Sequence, residues 1–271
     1  MTNKISHKVA AKENEYLWPM LKSLPYFRAL LRSVEAAFYK DVSLQKPCLD
    51  IGCGDGHFAE LVFDHAISLG MDPAHASLKE AKGRGSYEML VQANGDQQPF
   101  PSKHFASAIS NSVLEHIPQV ELVLEESARL LKPGAQLIFC VPNHRWKDNL
   151  LISNWLKKLT LNKLAQSYER LFIKISRHVN MFSPKEWESR LNQAGFKLER
   201  YWHYFSPRSL HALELGHYFG FPSLISRWLT KRWILFPTKW NLALSYQYLK
   251  PFALAEADQR GTYTWLVAKR E

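Results

Sequence analysis

The chain has 271 residues, 46% of them hydrophobic, which points to an ordinary globular protein with one large core and an addition. Its cysteines, Cys48, Cys53 and Cys140, show no paired spacing, which argues against a disulfide framework or a zinc site and favours a reducing compartment. Charge is lopsided: residues 1–150 carry 16 Lys and Arg against 17 Asp and Glu, while residues 151–271 carry 19 against 8. The basic excess belongs to the last part, where it suits a solvated face, an anionic membrane surface, a nucleic acid or an acidic substrate.

The opening stretch, "MTNKISHKVAAKENEYLW", lacks the apolar run of a secretory signal, so a cytoplasmic protein is expected. Residues 20–39 read as one or two amphipathic helices with Pro25 at a break or a helix start. From Cys48 the pattern becomes a βαβ series: strand "PCLDIG", helix "HFAELVFDHA", strand "ISLGMD", helix "PAHASLKEAKGR", strand "EMLVQAN". The series goes on with strand "FASAISNSV", helix "PQVELVLEESARLL", a stop and turn at "KPGA", and strand "QLIFCVPN". A helix "SPKEWESRLNQAGF", with Ser183 as N-cap and Pro184 in its first turn, leads into strand "KLERYWHYF", and "GTYTWLVAKR" is the last strand. The fold class is therefore α/β, doubly wound around a mostly parallel sheet.

Two regions exceed what such a domain needs, residues 144–178 and 206–259, both rich in aromatic and basic side chains. The most apolar region, residues 210–246, is broken by Glu214, Arg227, Lys231, Arg232 and Lys239, so a membrane-spanning helix is not expected. An interfacial helix is compatible, because Phe219, Trp228, Trp233, Phe236 and Trp240 alternate with those cations.

The stretch "CLDIGCGDGHFAE" carries the main chemical signal. Gly52, Gly54 and Gly56 form G-x-G-x-G behind Asp50, which is not the G-x-G-x-x-G that cradles a dinucleotide pyrophosphate. Asp50 would repel a phosphate, so a ligand with a cationic group fits better.

The ordered set "LDIGCGDG", Asp72, "GDQQPFP", "NSVLEHI", "LLKPGAQLIFCVPN" and "AGF" resembles the class I S-adenosylmethionine-dependent methyltransferases, in the branch that modifies small molecules and lipids. The resemblance implies a seven-stranded sheet with an antiparallel last strand, and S-adenosyl-L-methionine as cofactor. It divides the chain into a helical cover (residues 1–45) and a methyltransferase domain (46–271), with the two extra regions as a substrate cap. It places Asp50 near the cofactor's amino group and the backbone of Gly52, Cys53, Gly54 and Gly56 along its methionine and ribose parts. Asp72, followed by Pro73, would accept the ribose hydroxyls, Asp96 and Gln97 would meet the adenine, and Asn111 and Ser112 would line the methionine end.

His116 and His178 are the candidate bases, the latter in a His-x-x-x-Phe-Ser stretch similar to one that precedes the late helix in many relatives. Either is equally compatible with a packed structural histidine. No metal ligand set is expected, since the fourth strand lacks the acid of metal-dependent catechol-type enzymes. The same strand has no Asn/Asp-Pro-Pro-aromatic run and no Pro-Cys nucleophile, which disfavours base methylation of nucleic acids. The expected acceptor is a small hydrophobic or lipid-like molecule, with a peripheral membrane position as an accompanying expectation. RNA ribose or end methylation, and a non-catalytic cofactor-binding relative, stand as alternatives.

Overall fold

A computed structural model describes residues 14–271; the first thirteen residues of the N-terminal stretch discussed above lie outside the described part. Seven strands form one sheet: β1 (Cys48–Ile51), β2 (Ile67–Asp72), β3 (Tyr87–Gln92), β4 (Phe105–Asn111), β5 (Leu131–Pro142), β6 (Phe196–Tyr204) and β7 (Tyr263–Arg270). Their order is β3-β2-β1-β4-β5-β7-β6. The first five are mutually parallel, and β7 runs antiparallel between β5 and β6. The order reverses at β1 and β4, and ligands of such sheets bind in the crevice at the carboxyl ends there.

The helices are α1 (Leu17–Leu21), α2 (Tyr26–Tyr39), α3 (His57–Val62), α4 (His75–Arg84), α5 (Val120–Leu130), α6 (Leu151–Lys158), α7 (Asn162–Ser176), α8 (Pro184–Gln193), α9 (Pro207–Phe219), α10 (Phe221–Thr230) and α11 (Lys239–Leu249). Alternate residues of the central strands feed two cores, as a doubly covered sheet requires. Ile109, Ile138, Trp265 and Val267 pack toward α1 and α2. Ala108, Leu137, Phe139 and Leu266 pack toward α5 and α8. The three cysteines are buried and free.

Two local expectations change. The helix read over "HFAELVFDHA" stops at Val62, and the turn read at "KPGA" is a bulge inside β5. Register passes from Phe105 opposite Leu131 to Ser107 opposite Gln136, so three extra residues of β5 are looped out. Pro133 has no amide proton for the ladder and Gly134 takes a φ of 82°, so these turn-forming residues interrupt pairing without ending the strand.

The extra regions form a helical addition fastened to the N-terminal helices. Glu214 of α9, fully buried, accepts the Leu151 and Ile152 amides, capping the positive end of α6, and also the Tyr168 hydroxyl. Gly216 and Gly220 of this region let α2 approach: a Cβ at Gly216 would lie 2.5 Å from Phe27 Cβ. None of the described helices is long and apolar enough to cross a membrane.

α8 begins with a reciprocal cap, in which Ser183 Oγ accepts the Glu186 amide while the Glu186 carboxylate accepts the Ser183 amide. This anchors the turn that delivers Trp187 and Leu191 to the core. Ser183→Ala should lower the unfolding free energy by about 1 kcal/mol in urea titrations. An unchanged midpoint would mean that packing alone fixes this helix.

Candidate active site

The turn after β1 is built from its glycines. Gly52 and Cys53 both donate their amides to Met71 O, at 2.8 and 2.9 Å, which folds the chain back over the end of β2. Gly52 has φ 78° and no room, since a Cβ would come within 2.5 Å of Val113. Gly54 has φ 57° and the opposite surroundings: nothing lies within 4 Å of an added Cβ. A side chain there would enter open space at the carboxyl ends of the sheet, so this backbone is bare on the ligand side.

Asp50 lies beneath the turn, 6% exposed. Tyr87 in β3 donates its hydroxyl to Asp50 Oδ2 at 2.7 Å. The intervening β2 residue is Gly70, where a Cβ would stand 2.7 Å from the Tyr87 ring, so its glycine lets that ring cross to β1. Burial pushes the Asp50 carboxyl up to about 7, and the Tyr87 hydrogen bond and Arg32 only partly oppose it. The carboxyl can thus exchange its proton for a cationic group near neutral pH.

Asp72 ends β2 and accepts the Gly54 amide on Oδ2 at 3.0 Å and the Ala74 amide on Oδ1 at 2.8 Å. Each oxygen keeps a lone pair for a further donor. Pro73 follows, its carbonyl accepting Gln92 Nε2 at 3.0 Å. Asp96 and Gln97 border an open cleft of about 550 Å³ with Glu126 opposite. Asp50, Asp72 and the glycine turn therefore share one end of the sheet, with the Asp96 cleft beyond β3.

Asn111 and Ser112, at the end of β4, are held by a residue that sequence reasoning passed over. Glu35 of α2 is fully buried and accepts from Asn111 Nδ2 at 2.7 Å, Ser112 Oγ at 2.6 Å, Tyr204 OH at 3.2 Å and Arg32 Nη1 at 3.2 Å. Arg32 also donates to Asn111 O at 2.8 Å, and Cys140 Sγ to Asn111 Oδ1 at 2.9 Å. Ser112 sits at φ 51°, a conformation that this network holds in place. The one available signal was an arginine and a glutamate at i, i+3 within an otherwise apolar helical stripe.

The two candidate histidines come together. Asn180 Nδ2 donates to Leu114 O and Ile117 O, and the Val179 and Asn180 amides both donate to Glu115 O, which fastens residues 178–180 to the 3₁₀ turn Leu114–His116. His116 and His178 then stack with ring centres 5.6 Å apart. His116 Nδ1 donates to Arg177 O at 3.0 Å, which fixes the tautomer and leaves Nε2 with its lone pair. Its side chain is 41% exposed, and burial lowers its pKa.

His178 differs. It packs against the Trp146 ring at 4.7 Å, its Nδ1 finds no partner among the described residues, and burial drives it down to about 3. Glu115 is 2% exposed and pushed up to about 8 by burial, with Oε2 unpaired among the described residues and Oε1 3.8 Å from His116 Nε2. Ligand-bearing atoms of Glu115, His116 and His178 lie within 4.8 Å of one another, a cluster that can exchange protons or accept a cation. Asn143, just past β5, is turned into the fold, donating to Gly261 O and Thr264 Oγ1.

The Glu35 network gives a direct test. Glu35→Ala leaves Asn111, Ser112, Tyr204 and Arg32 without their shared acceptor, and the expected loss is about 3–5 kcal/mol of unfolding free energy. A loss under about 1 kcal/mol would mean that water replaces the carboxylate freely.

Comparison with known proteins identifies the family. A family model described as a methyltransferase domain matches residues 17–201. The ubiquinone biosynthesis O-methyltransferase of Idiomarina loihiensis is 32% identical over 115 residues, covering 39% of this chain and 46% of that protein. Matches to the curated relatives span between 35% and 63% of their lengths. Among solved structures, a possible histamine N-methyltransferase of Thermotoga maritima superposes with a TM-score of 0.55 at 17% identity, covering 94% of this chain and 100% of that one. Geranyl diphosphate C-methyltransferase of Streptomyces coelicolor superposes at 0.53 and 13% identity, covering 90% and 77%. The open backbone at Gly54 beside a carboxyl poised near neutrality fits a cofactor with an ammonium group, and the chain belongs to the class I S-adenosylmethionine-dependent methyltransferases.

Proposed function

We propose that the protein transfers a methyl group to a small hydrophobic or lipid-like acceptor presented at a lipid–water boundary. S-adenosylmethionine, when bound, supplies the electrophilic methyl group. Asp50 meets the ammonium, the Gly52–Gly56 backbone lies along the methionine and ribose parts, and Asp72 with Pro73 receives the ribose hydroxyls. Asp96 and Gln97 border the adenine, and Asn111 and Ser112 are set at the methionine end through Glu35.

The single observation that carries the catalytic reading is the tautomer of His116. Its Nδ1–H is engaged by Arg177 O, so Nε2 is available to take the proton of an acceptor hydroxyl, three residues after the Val113 that packs on Gly52. His178 supports it from behind as a neutral ring held by Trp146. The rest of the acceleration comes from holding acceptor and methyl in line, which is worth about 7–11 kcal/mol in well-aligned systems. The similarity to a ubiquinone biosynthesis O-methyltransferase supports an aromatic or amphiphilic hydroxyl as acceptor.

Labelled cofactor offered with lipid extract and, separately, with total RNA tests the acceptor class. Label in the lipid fraction alone is expected, whereas label in RNA alone would overturn the proposal. On the acceptor found, His116→Ala should lower turnover about 10²–10⁴-fold. Because burial lowers the His116 pKa, the acid limb of the rate profile at saturating cofactor should fall below the ordinary histidine range. That limb should survive in His178→Asn and vanish in His116→Ala. Full activity in His116→Ala would exclude it as the base.

A further inference from the structure

We propose that residues 219–249 form a docking surface for an anionic phospholipid bilayer. The inference rests on the lipid-like acceptor proposed above and names where the protein meets its source. α10 buries none of its residues, and between Phe219 and Tyr248 eleven large apolar side chains stand exposed. Phe219 is 71% exposed, Trp228 76%, Trp240 77% and Leu244 84%. Scattered single apolar side chains are ordinary on a protein surface, whereas a series of this kind marks a partner.

Charge selects the partner. From residue 215 to residue 255 there is no Asp or Glu, against the five cations Arg227, Lys231, Arg232, Lys239 and Lys250. Arg227 is paired with Glu80 at 2.8 Å, while Lys231, Arg232 and Lys239 make no ion pair with any described residue. Indole and phenyl rings interleaved with unpaired cations match the boundary of a bilayer with negative headgroups. A second copy of this chain on the same face would set those cations against their equals, with no carboxylate in the segment to offset them.

The inner side of this segment touches the N-terminal helices. Trp233 lies under the guanidinium groups of Arg28 and Arg227, at 5.8 and 5.7 Å, and Tyr246 packs edge-on against Trp18 at 5.5 Å. Just before the segment, in α9, the His217 ring meets that of Phe27 at 4.0 Å. α2, which carries Arg28, also carries Glu35 to Asn111 and Ser112, so the surface and the site share one helix.

The test is co-sedimentation of the full chain with phosphatidylcholine vesicles, with and without phosphatidylglycerol. Binding should require the anionic lipid and decline with added salt. Replacing Lys231, Arg232 and Lys239 by Gln should weaken it about fivefold per charge. Trp228→Gln with Trp240→Gln should weaken it at every salt concentration, while circular dichroism and S-adenosylhomocysteine binding stay unchanged. Equal binding to neutral vesicles, no binding to anionic vesicles at low salt, or a dimer that buries Trp228 and excludes vesicles would each overturn the proposal. Vesicle binding without lipid methylation would overturn the acceptor reading and leave docking standing; methylation of a lipid by a chain that ignores vesicles would do the reverse.

Discussion

Everything at the site depends on a carboxyl group placed under a backbone with no side chains. Asp50 is buried, raised to about 7 and held by Tyr87, and above it the chain turns through Gly52 and Gly54 with both amides of Gly52 and Cys53 directed at Met71 O. A dinucleotide site needs the reverse, amides aimed at a diphosphate and no acid nearby. Here the amides after β1 are already satisfied by β2, and the local charge is negative once Asp50 ionises. The turn is therefore suited to a cation, in keeping with the proposed placement of the cofactor's ammonium group at Asp50 and of its ribose at Asp72.

A second constraint ties the N-terminal helices to that site. Glu35 is a residue of α2, yet its carboxylate is shared among donors from β4, β6 and its own helix. A buried carboxylate is tolerable only with such a set of donors around it. The consequence is that α2 is not merely a cover: its position and the conformation of Ser112 are fixed by the same bonds. The added helices pack on that helix in turn, through Phe27 and Arg28.

Much of the fold was legible because its signals are local. Strand runs alternate with amphipathic helices, Ser183 and Pro184 announce a helix start, and the glycines mark the turn after β1. "KPGA" shows the limit of that approach, since a stop-and-turn composition serves equally well as a bulge when the strand resumes pairing on either side. The resemblance to a known family supplied the seven-stranded sheet with its antiparallel last strand, and the cofactor. What escaped was the long-range pairing: Glu35 with Asn111 lies 76 residues apart, Tyr87 with Asp50 37, and Tyr168 with Glu214 46. No spacing rule connects such residues. His116 and His178 were both visible, but their stacking and the Arg177 carbonyl that engages His116 Nδ1 were not.

Recognition of a cationic cofactor by Asp50 is the claim on which the account rests, and proton exchange reports it most directly. The measurement is calorimetric titration with S-adenosylhomocysteine near pH 6, in two buffers of different ionisation heat. At that pH Asp50, with its value near 7, is mostly protonated, so an arriving ammonium should expel close to one proton per ligand bound. Asp50→Asn should bind more weakly and release none. Binding without proton release that Asp50→Asn leaves unchanged, or binding of NAD in place of S-adenosylhomocysteine, would contradict the account.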